Sequence, residues 1–271
     1  MSAGSQGQAP EGLPGLYLYG LFRGSGPDLE RALFEVKGAT NGAPELRDLG
    51  IAAIIAGGHD GSEILQTRRR MLAHTRVLET AMAYGTVLPM RFGLVAEDMA
   101  TLSAMLASHA EAIAARFDHL AGQVELGLRV SVPRAAALDA VLAAEPALAA
   151  ARDRLMGRGA EGHFDRIELG RAVAEALERR RTRAQSALIR ELAGAVTDHV
   201  LRAPEDDCEL LRAECLVPAG AADDLAATVE RAAAALDFAP GAEPAIRLVG
   251  PVPAFHFVDL ALAPSAGREA A

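Results

Sequence analysis

Tryptophan is absent from this chain, and only three tyrosines and eight phenylalanines supply large rings. A core without many rings must be filled by Leu, Val and Ile, with alanine, which favours helices and buries little area, lining thin helix contacts. Cysteine is scarce too: Cys208 and Cys215 stand seven apart, roughly 23 Å on a strand or 10 Å on a helix. Neither geometry permits a disulfide, so both are expected to be buried thiols of a cytoplasmic protein. No uncharged apolar run reaches about 18 residues, which excludes a transmembrane helix and leaves no membrane partner to expect. Positive charge is in deficit, the formal net charge being −9. A nucleic-acid partner, which needs a basic face, is therefore not expected.

Chemical motifs are missing as well. There is no GxxxxGK[ST], no GxGxxG between strand and helix, no GxSxG, and neither cysteine has a histidine nearby. The seven histidines are scattered, with no HxH, no HExxH and no cysteine pair at zinc spacing. His59, His74, His109, His119, His163 and His199 are read as solvated or singly hydrogen-bonded. For His256, between two phenylalanines in the final strand, ordinary burial is the default reading and contact with a partner the alternative. No catalytic residue, cofactor or metal ligand set is expected.

What is present reads as alternating strands and helices. Residues 1–14, which lack a basic n-region and an apolar h-region, are expected to be a disordered leader, and residues 261–271 a disordered tail. A first strand covers 16–22 (LYLYGLF), a weak pair 32–36 and 49–56. A helix follows, begun by an Asp60/Glu63 capping box, with Ile64, Met71, Thr75, Leu78 and Met82 on its core face. A strand then runs from Val87 to Val95, with Leu88, Met90 and Phe92 on one face and Val87, Pro89 and Arg91 on the other. Asp98 caps a further helix with core face Leu102, Leu106, Ile113, Phe117 and Leu120. A strand at 124–132 closes the unit, Glu125 pointing outward. Short helices at 135–143 and 146–156, a long helix at 164–200, a strand at 209–217, a helix at 222–236 and a strand at 245–258 complete the chain. Pro251 and Pro253 place the second half of that last strand at an edge, a bulge or a tail.

The fold expected is α+β in two domains, 15–132 and 133–260. Each has an antiparallel sheet with packed helices in a ferredoxin-like variant, with helices on one sheet face and a long helix in the second domain. Two such units in one chain also hint at a remote duplication. The arginine runs 68–70 and 179–183 are read as solvated helix faces, the second flanked by Glu175, Glu178 and Glu191.

Two segments stand apart. In VLPMRFG, Pro89 cannot donate to a ladder, so its side of the strand should be free. Arg91 beside it must then pair with carboxylates or carbonyls, or reach a partner. The other is the proline-broken ending LVGPVPAFHFV. Together with GLYLYGL, TVLPMRFGLVAED, GQVELGLRVSV and IELG, they make the chain resemble the GvpF/GvpL family of gas-vesicle proteins. The residues that carry the resemblance include Tyr17, Tyr19, Gly20, Pro89, Arg91, Phe92, Gly93, Gly122, Glu125, Gly250, Pro251, Pro253, Phe255 and Phe257. Leu94 replaces the family's usual Thr, and Ala254-Phe255 its usual Pro-Tyr. The resemblance implies a cytoplasmic accessory protein of gas-vesicle assembly that associates with the small hydrophobic shell subunit and with other accessory proteins. An alternative is a minor structural component of the vesicle. A small-molecule sensor or enzyme on a ferredoxin-like scaffold is the alternative of another class. Tyr17, Tyr19, Pro89, Arg91, Phe92, Gly93, Gly250, Pro251, Pro253, Phe255 and Phe257 are the residues expected to form any partner-binding surface.

Overall fold

A computed structural model describes residues 15–24, 26–156 and 162–259. The expected leader and tail lie outside these residues. The chain divides into two compact units, one reaching to Val124 and including the residues from Val252 on, the other Glu125–Pro251.

The first unit runs β1 (Gly15–Gly24), α1 (Gly26–Glu35), β2 (Pro44–Asp48), β3 (Ala53–His59), α2 (Arg68–Met82), β4 (Gly85–Pro89), β5 (Val95–Ala96), α3 (Met99–Ala107) and α4 (Ala110–Leu120). The sheet order is β2-β3-β1-β4, with β5 also on β1, and its paired strands are antiparallel. This is the β-α-β-β-α-β arrangement of a ferredoxin-like unit. The second unit runs β6 (Gln123–Ser131), α5 (Arg134–Ala144), α6 (Pro146–Met156), α7 (His163–Leu192), β7 (Asp198–Leu201), β8 (Glu209–Pro218), α8 (Ala222–Ala234) and β9 (Ala245–Val252). Its sheet order is β7-β8-β6-β9. With α5–α7 standing in for one crossover helix, this repeats the strand order of the first sheet, which is the topology a duplication leaves.

Several sequence expectations give way. The 32–36 segment is the end of helix α1, whose Leu29 and Leu33 are buried one turn apart; Leu33 is an i+4 partner, not a strand neighbour. Helix α2 begins about two turns later than expected, with Thr67 as N-cap accepting from the Arg70 amide. Asp60 instead closes a tight turn by accepting from Ser62 N–H. The helix therefore buries His74, Val77, Leu78 and Ala81, and Met71 is exposed. Asp98 does cap its helix, accepting from Thr101 N–H at 2.7 Å. The strand ending at Ser131, expected to close the first domain, pairs within the second sheet; alternation gives a strand's faces, not its neighbour. Its Glu125, expected outward, is buried. The long helix stops at Leu192, and the residues beyond it form β7.

The first sheet is covered on both faces, not one. On one side Tyr17, Tyr19, Phe22, Ile55 and Val87 pack with Leu29 and Leu33 of α1 and Val77, Leu78 and Ala81 of α2. On the other, α4 packs on β4, and Arg23 at the end of β1 lies 4.4 Å over the Phe117 ring and pairs with Asp118. Leu21, Ile54 and Leu88, fully buried, belong to that second face. The β1–β3 register slips between Leu18 and Gly20. The bulge sets two neighbours, Tyr19 and Gly20, toward the helices and passes the alternation on to Phe22. A side chain at Gly20 would meet Leu88 O at 2.7 Å and the Leu78 side chain at 2.9 Å.

Gly20→Ala is therefore expected to destabilise the protein by about 1–3 kcal/mol through overpacking. Gly170→Ala, on the exposed side of α7 with open space around it, should stabilise it by about 0.5–1 kcal/mol. Denaturant unfolding of the two variants reads both signs.

Candidate functional site

The segments that stand out in the sequence meet in the first unit, around a residue that sequence reading passed over. His74, on the inner face of α2, is buried. Its imidazole stacks at 5.3 Å on Tyr19, meets Tyr17 and Phe92 edge-on at 5.7 and 5.8 Å, and lies 6.4 Å from Phe255. Tyr17 and Tyr19 pack edge to face at 4.8 Å, a geometry that aromatic quadrupoles favour.

The hydrogen bonds fix the protons. His74 Nε2 lies 3.0 Å from Met90 O, and a carbonyl can only accept, so Nε2 carries the hydrogen. In the neutral ring Nδ1 is then an acceptor, and Tyr17 donates its hydroxyl to it at 2.8 Å. The same hydroxyl accepts from Gly93 N–H at 3.3 Å. The Tyr19 hydroxyl accepts from Ala39 N–H at 2.9 Å. Burial pushes the Tyr17 and Tyr19 hydroxyls above the usual phenol range and holds His74 below the usual histidine value. All three rings are neutral near pH 7.

This network explains VLPMRFG. The strand ends at Pro89 rather than continuing to Val95, so Leu88 and Phe92 do not share a face. Met90 N–H donates to Tyr19 O at 2.8 Å, and Leu18 N–H donates to Leu94 O at 2.9 Å. Between these bonds Arg91, Phe92 and Gly93 are looped out opposite the Leu18–Tyr19 step. Amides alternate sides along a strand, so the Pro89 nitrogen faces away from β1, the open side of an edge strand. Gly93 has φ +92°, a conformation that disfavours any side chain. Phe92 folds back onto the core cluster, as does Phe255 from the chain's ending. Arg91 is exposed, with no ion pair among the described residues.

The ending is divided. Gly250 and Pro251 are exposed in β9, an edge strand of the second sheet that stops at Val252. Beyond it Pro253, Ala254 and Phe257 are buried, and the Phe255 amide donates to Pro253 O at 2.7 Å in a turn. The structure therefore gathers Tyr17, Tyr19, Phe92, Gly93 and Phe255 around His74, whereas Gly250 and Pro251 belong to the second unit. His74 was missed because a polar residue does not register in an apolar stripe; its spacing of three and four from Val77 and Leu78 was the available signal. The Gly57-Gly58-His59 run closes β3. In the acidic cluster Asp206–Cys208 the carboxylates are engaged: Asp206 accepts from the Cys208 and Glu209 amides, and Asp207 pairs with Arg134.

Two ferredoxin-like units, the first locked by an aromatic cluster built from motifs at both ends of the chain, define a two-unit α+β protein. The gas vesicle synthesis protein GvpL/GvpF family model matches residues 15–259, and the chain belongs to that family. It is 31% identical to gas vesicle protein F of Streptomyces sp. (strain CB03234) over 245 residues, 90% of this chain and 99% of that protein. Gas vesicle protein F of Microcystis aeruginosa (strain PCC 7806) is 30% identical over 172 residues, 62% of this chain and 68% of that protein. The crystal structure of GvpF from Anabaena sp. PCC7120 superposes with a TM-score of 0.75 at 22% identity, covering 91% of this chain and 98% of that one. That of Microcystis aeruginosa GvpF gives 0.69 at 24%, covering 91% and 99%. Among the described residues no helix is long and apolar enough to cross a membrane.

The cluster makes stability pH-dependent with a definite sign. An unfolded chain protonates histidine near 6.5, whereas folded His74 stays neutral further down. The unfolded state then binds the proton first. This contribution is complete above about pH 6.5 and declines below it, by up to about 1.4 kcal/mol per pH unit, until the folded value is reached. Denaturant unfolding between pH 7 and 5 should show this slope, and His74→Gln should lack it. Tyr17→Phe, which strands a buried imidazole acceptor, should cost about 1–3 kcal/mol at pH 7.

Proposed function

We propose that the chain is a non-catalytic cytoplasmic assembly factor of the gas vesicle that binds the small hydrophobic shell subunit and other accessory proteins. Family membership places it among gas vesicle proteins. One observation supports a binding role and a place for it. At the rim of the first unit, directly after the looped-out Arg91–Gly93, Leu94 and Val95 are 42% and 38% exposed, and the partly buried Phe92 and Phe255 flank the core beside them. Apolar side chains held at a sheet edge by a rigid network are what an apolar partner segment needs. Such a segment can add its backbone to the edge and bury its side chains against the rim. The network explains why the rim persists without collapsing inward: Leu94 O is held by Leu18 N–H, and Val95 is paired with Tyr17.

Co-expression with a gas vesicle shell subunit and affinity capture of this chain tests the proposal. The wild type should retain the subunit. The double variant Leu94→Asp, Val95→Asp should lose at least about tenfold of the recovery, the equivalent of one buried aliphatic side chain, at an unchanged thermal midpoint. Equal recovery of the subunit by wild type and variant would sink the proposed surface, and no recovery by the wild type the proposed activity.

A further inference from the structure

The two arginine runs, alike in sequence, are treated differently by the fold. In α7, Arg171, Arg179 and Arg181 pair with Glu175, Glu145 and Glu178. In α2, Arg68, Arg69 and Arg76 have no ion pair among the described residues, and Arg70 donates to a backbone carbonyl, that of Glu63, at 3.3 Å. No acidic residue stands three or four positions before or after Arg68, Arg69 or Arg70, where a helix forms its surface pairs. The run also opens the helix. Thr67 is the N-cap and the first turn holds no acid, so three cations occupy the end where the macrodipole favours anions. Four arginines against the single Glu79 leave α2 strongly basic in a chain of formal net charge −9.

Apolar side chains lie among these charges. The inner face of α2 buries His74, Val77, Leu78 and Ala81, which fixes where its outer face points. There Arg69, Leu72 and Arg76 follow one another at helical intervals in a stripe about 10 Å long. Leu72 is 52% exposed. Arg68 flanks it one turn earlier, and Glu79 lies a turn beyond Arg76. Leu65, just before the cap, is also exposed. The Thr67 amide donates to its carbonyl at 2.8 Å, and the bond from Arg70 to Glu63 holds its segment to the helix.

We propose that the outer face of α2 docks an acidic helix of a partner protein, one that carries two carboxylates seven residues apart and an apolar residue between them. Charge complementarity selects this occupant: Arg69 and Arg76 meet the carboxylates, and Leu72 meets the apolar side chain. A membrane surface or a nucleic acid is wider than the stripe. It would bring its negative charge within a Debye length, about 8 Å at physiological salt, of the rest of an acidic chain; a short helix ends within the patch. The chain's own terminal segments do not fit either, since residues 1–14 hold one acid, Glu11, and residues 260–271 one, Glu269, beside Arg268. The proposal does not rest on the Leu94–Val95 rim, and either can fail alone.

The test is fluorescence anisotropy with the full chain and a labelled alanine-based helical peptide carrying Glu, Leu and Glu at positions i, i+4 and i+7. Its Gln, Leu, Gln counterpart, phosphatidylserine vesicles and a single-stranded oligonucleotide are the competing probes. The Glu peptide should bind saturably and at least about tenfold tighter than the Gln peptide. The double variant Arg68→Glu, Arg69→Glu should weaken binding by about tenfold or more while raising the thermal midpoint, because acids stabilise a helix N-terminus. Arg183→Glu, Arg190→Glu, which makes the same charge change at exposed positions of α7, should bind like the wild type. Leu72→Asn should weaken binding about threefold. No saturable binding, equal binding of the two peptides, equal loss in both double variants, or vesicles or oligonucleotide bound more tightly than the Glu peptide would each overturn the assignment. So would a wild-type dimer in sedimentation that Arg68→Glu, Arg69→Glu dissolves, which gives the face to a second copy of the chain.

Discussion

One neutral imidazole holds the first unit together. His74 bridges the hydroxyl of Tyr17 in the central strand and the carbonyl of Met90 at the point where the edge strand stops. Helix, central strand and edge loop are thereby tied at one buried atom group, and each polar atom involved has its partner. The arrangement matters because the alternative is expensive: an unsatisfied buried donor or acceptor costs about 1–3 kcal/mol, a large fraction of a typical domain's net stability. The three looped-out residues Arg91, Phe92 and Gly93 can leave the sheet only because Gly93 N–H finds the Tyr17 hydroxyl and Phe92 finds the rings. Much of the family's motif is thus explained by packing, and Arg91, Leu94 and Val95 are side chains of this segment that the lock leaves exposed.

The repeated strand order gives this a wider setting. Both sheets place the first strand of the unit in the middle and the fourth at an edge, yet the two edges are treated differently. In the first unit the edge breaks at Pro89 and resumes as β5; in the second the edge strand β9 runs through Gly250 and Pro251 before the chain returns to the first unit. Proline at an edge strand costs no ladder bond, and it blunts pairing with stray strands. A scaffold duplicated in topology has been given two separate proline-marked edges.

Much of this was legible in the residues. Most strands and helices after Asp98 were placed, because caps, prolines and periodicity are local signals, but α3 and α4 were read as one helix and β7 as the end of the long helix. The family was legible from the order of short motifs. Three things were not. The 124–132 strand was assigned to the wrong sheet, since its alternation says nothing about which strand accepts its amides. Helix α2 was begun early because two cap signals, Asp60/Glu63 and Thr67, compete within seven residues, and only packing chooses between them. His74 was passed over as a surface histidine because its partners lie 57 and 16 residues away, beyond any periodic pattern. The gathering of Tyr17, Tyr19, Phe92 and Phe255 is likewise a product of topology, which brings the two ends of the chain to one place.

The claim on which the rest depends is that His74 is a neutral, Nε2-protonated linchpin. Long-range ¹H–¹⁵N correlation of the histidine rings measures this directly. The account predicts that His74 is locked as the Nε2–H tautomer, with its Nδ1 acting as an acceptor and its ring protonating only below the ordinary histidine value. Its signal should also show contacts to Tyr17 and Phe92. A His74 that averages between tautomers, or that titrates near 6.5 like an exposed histidine, would contradict it.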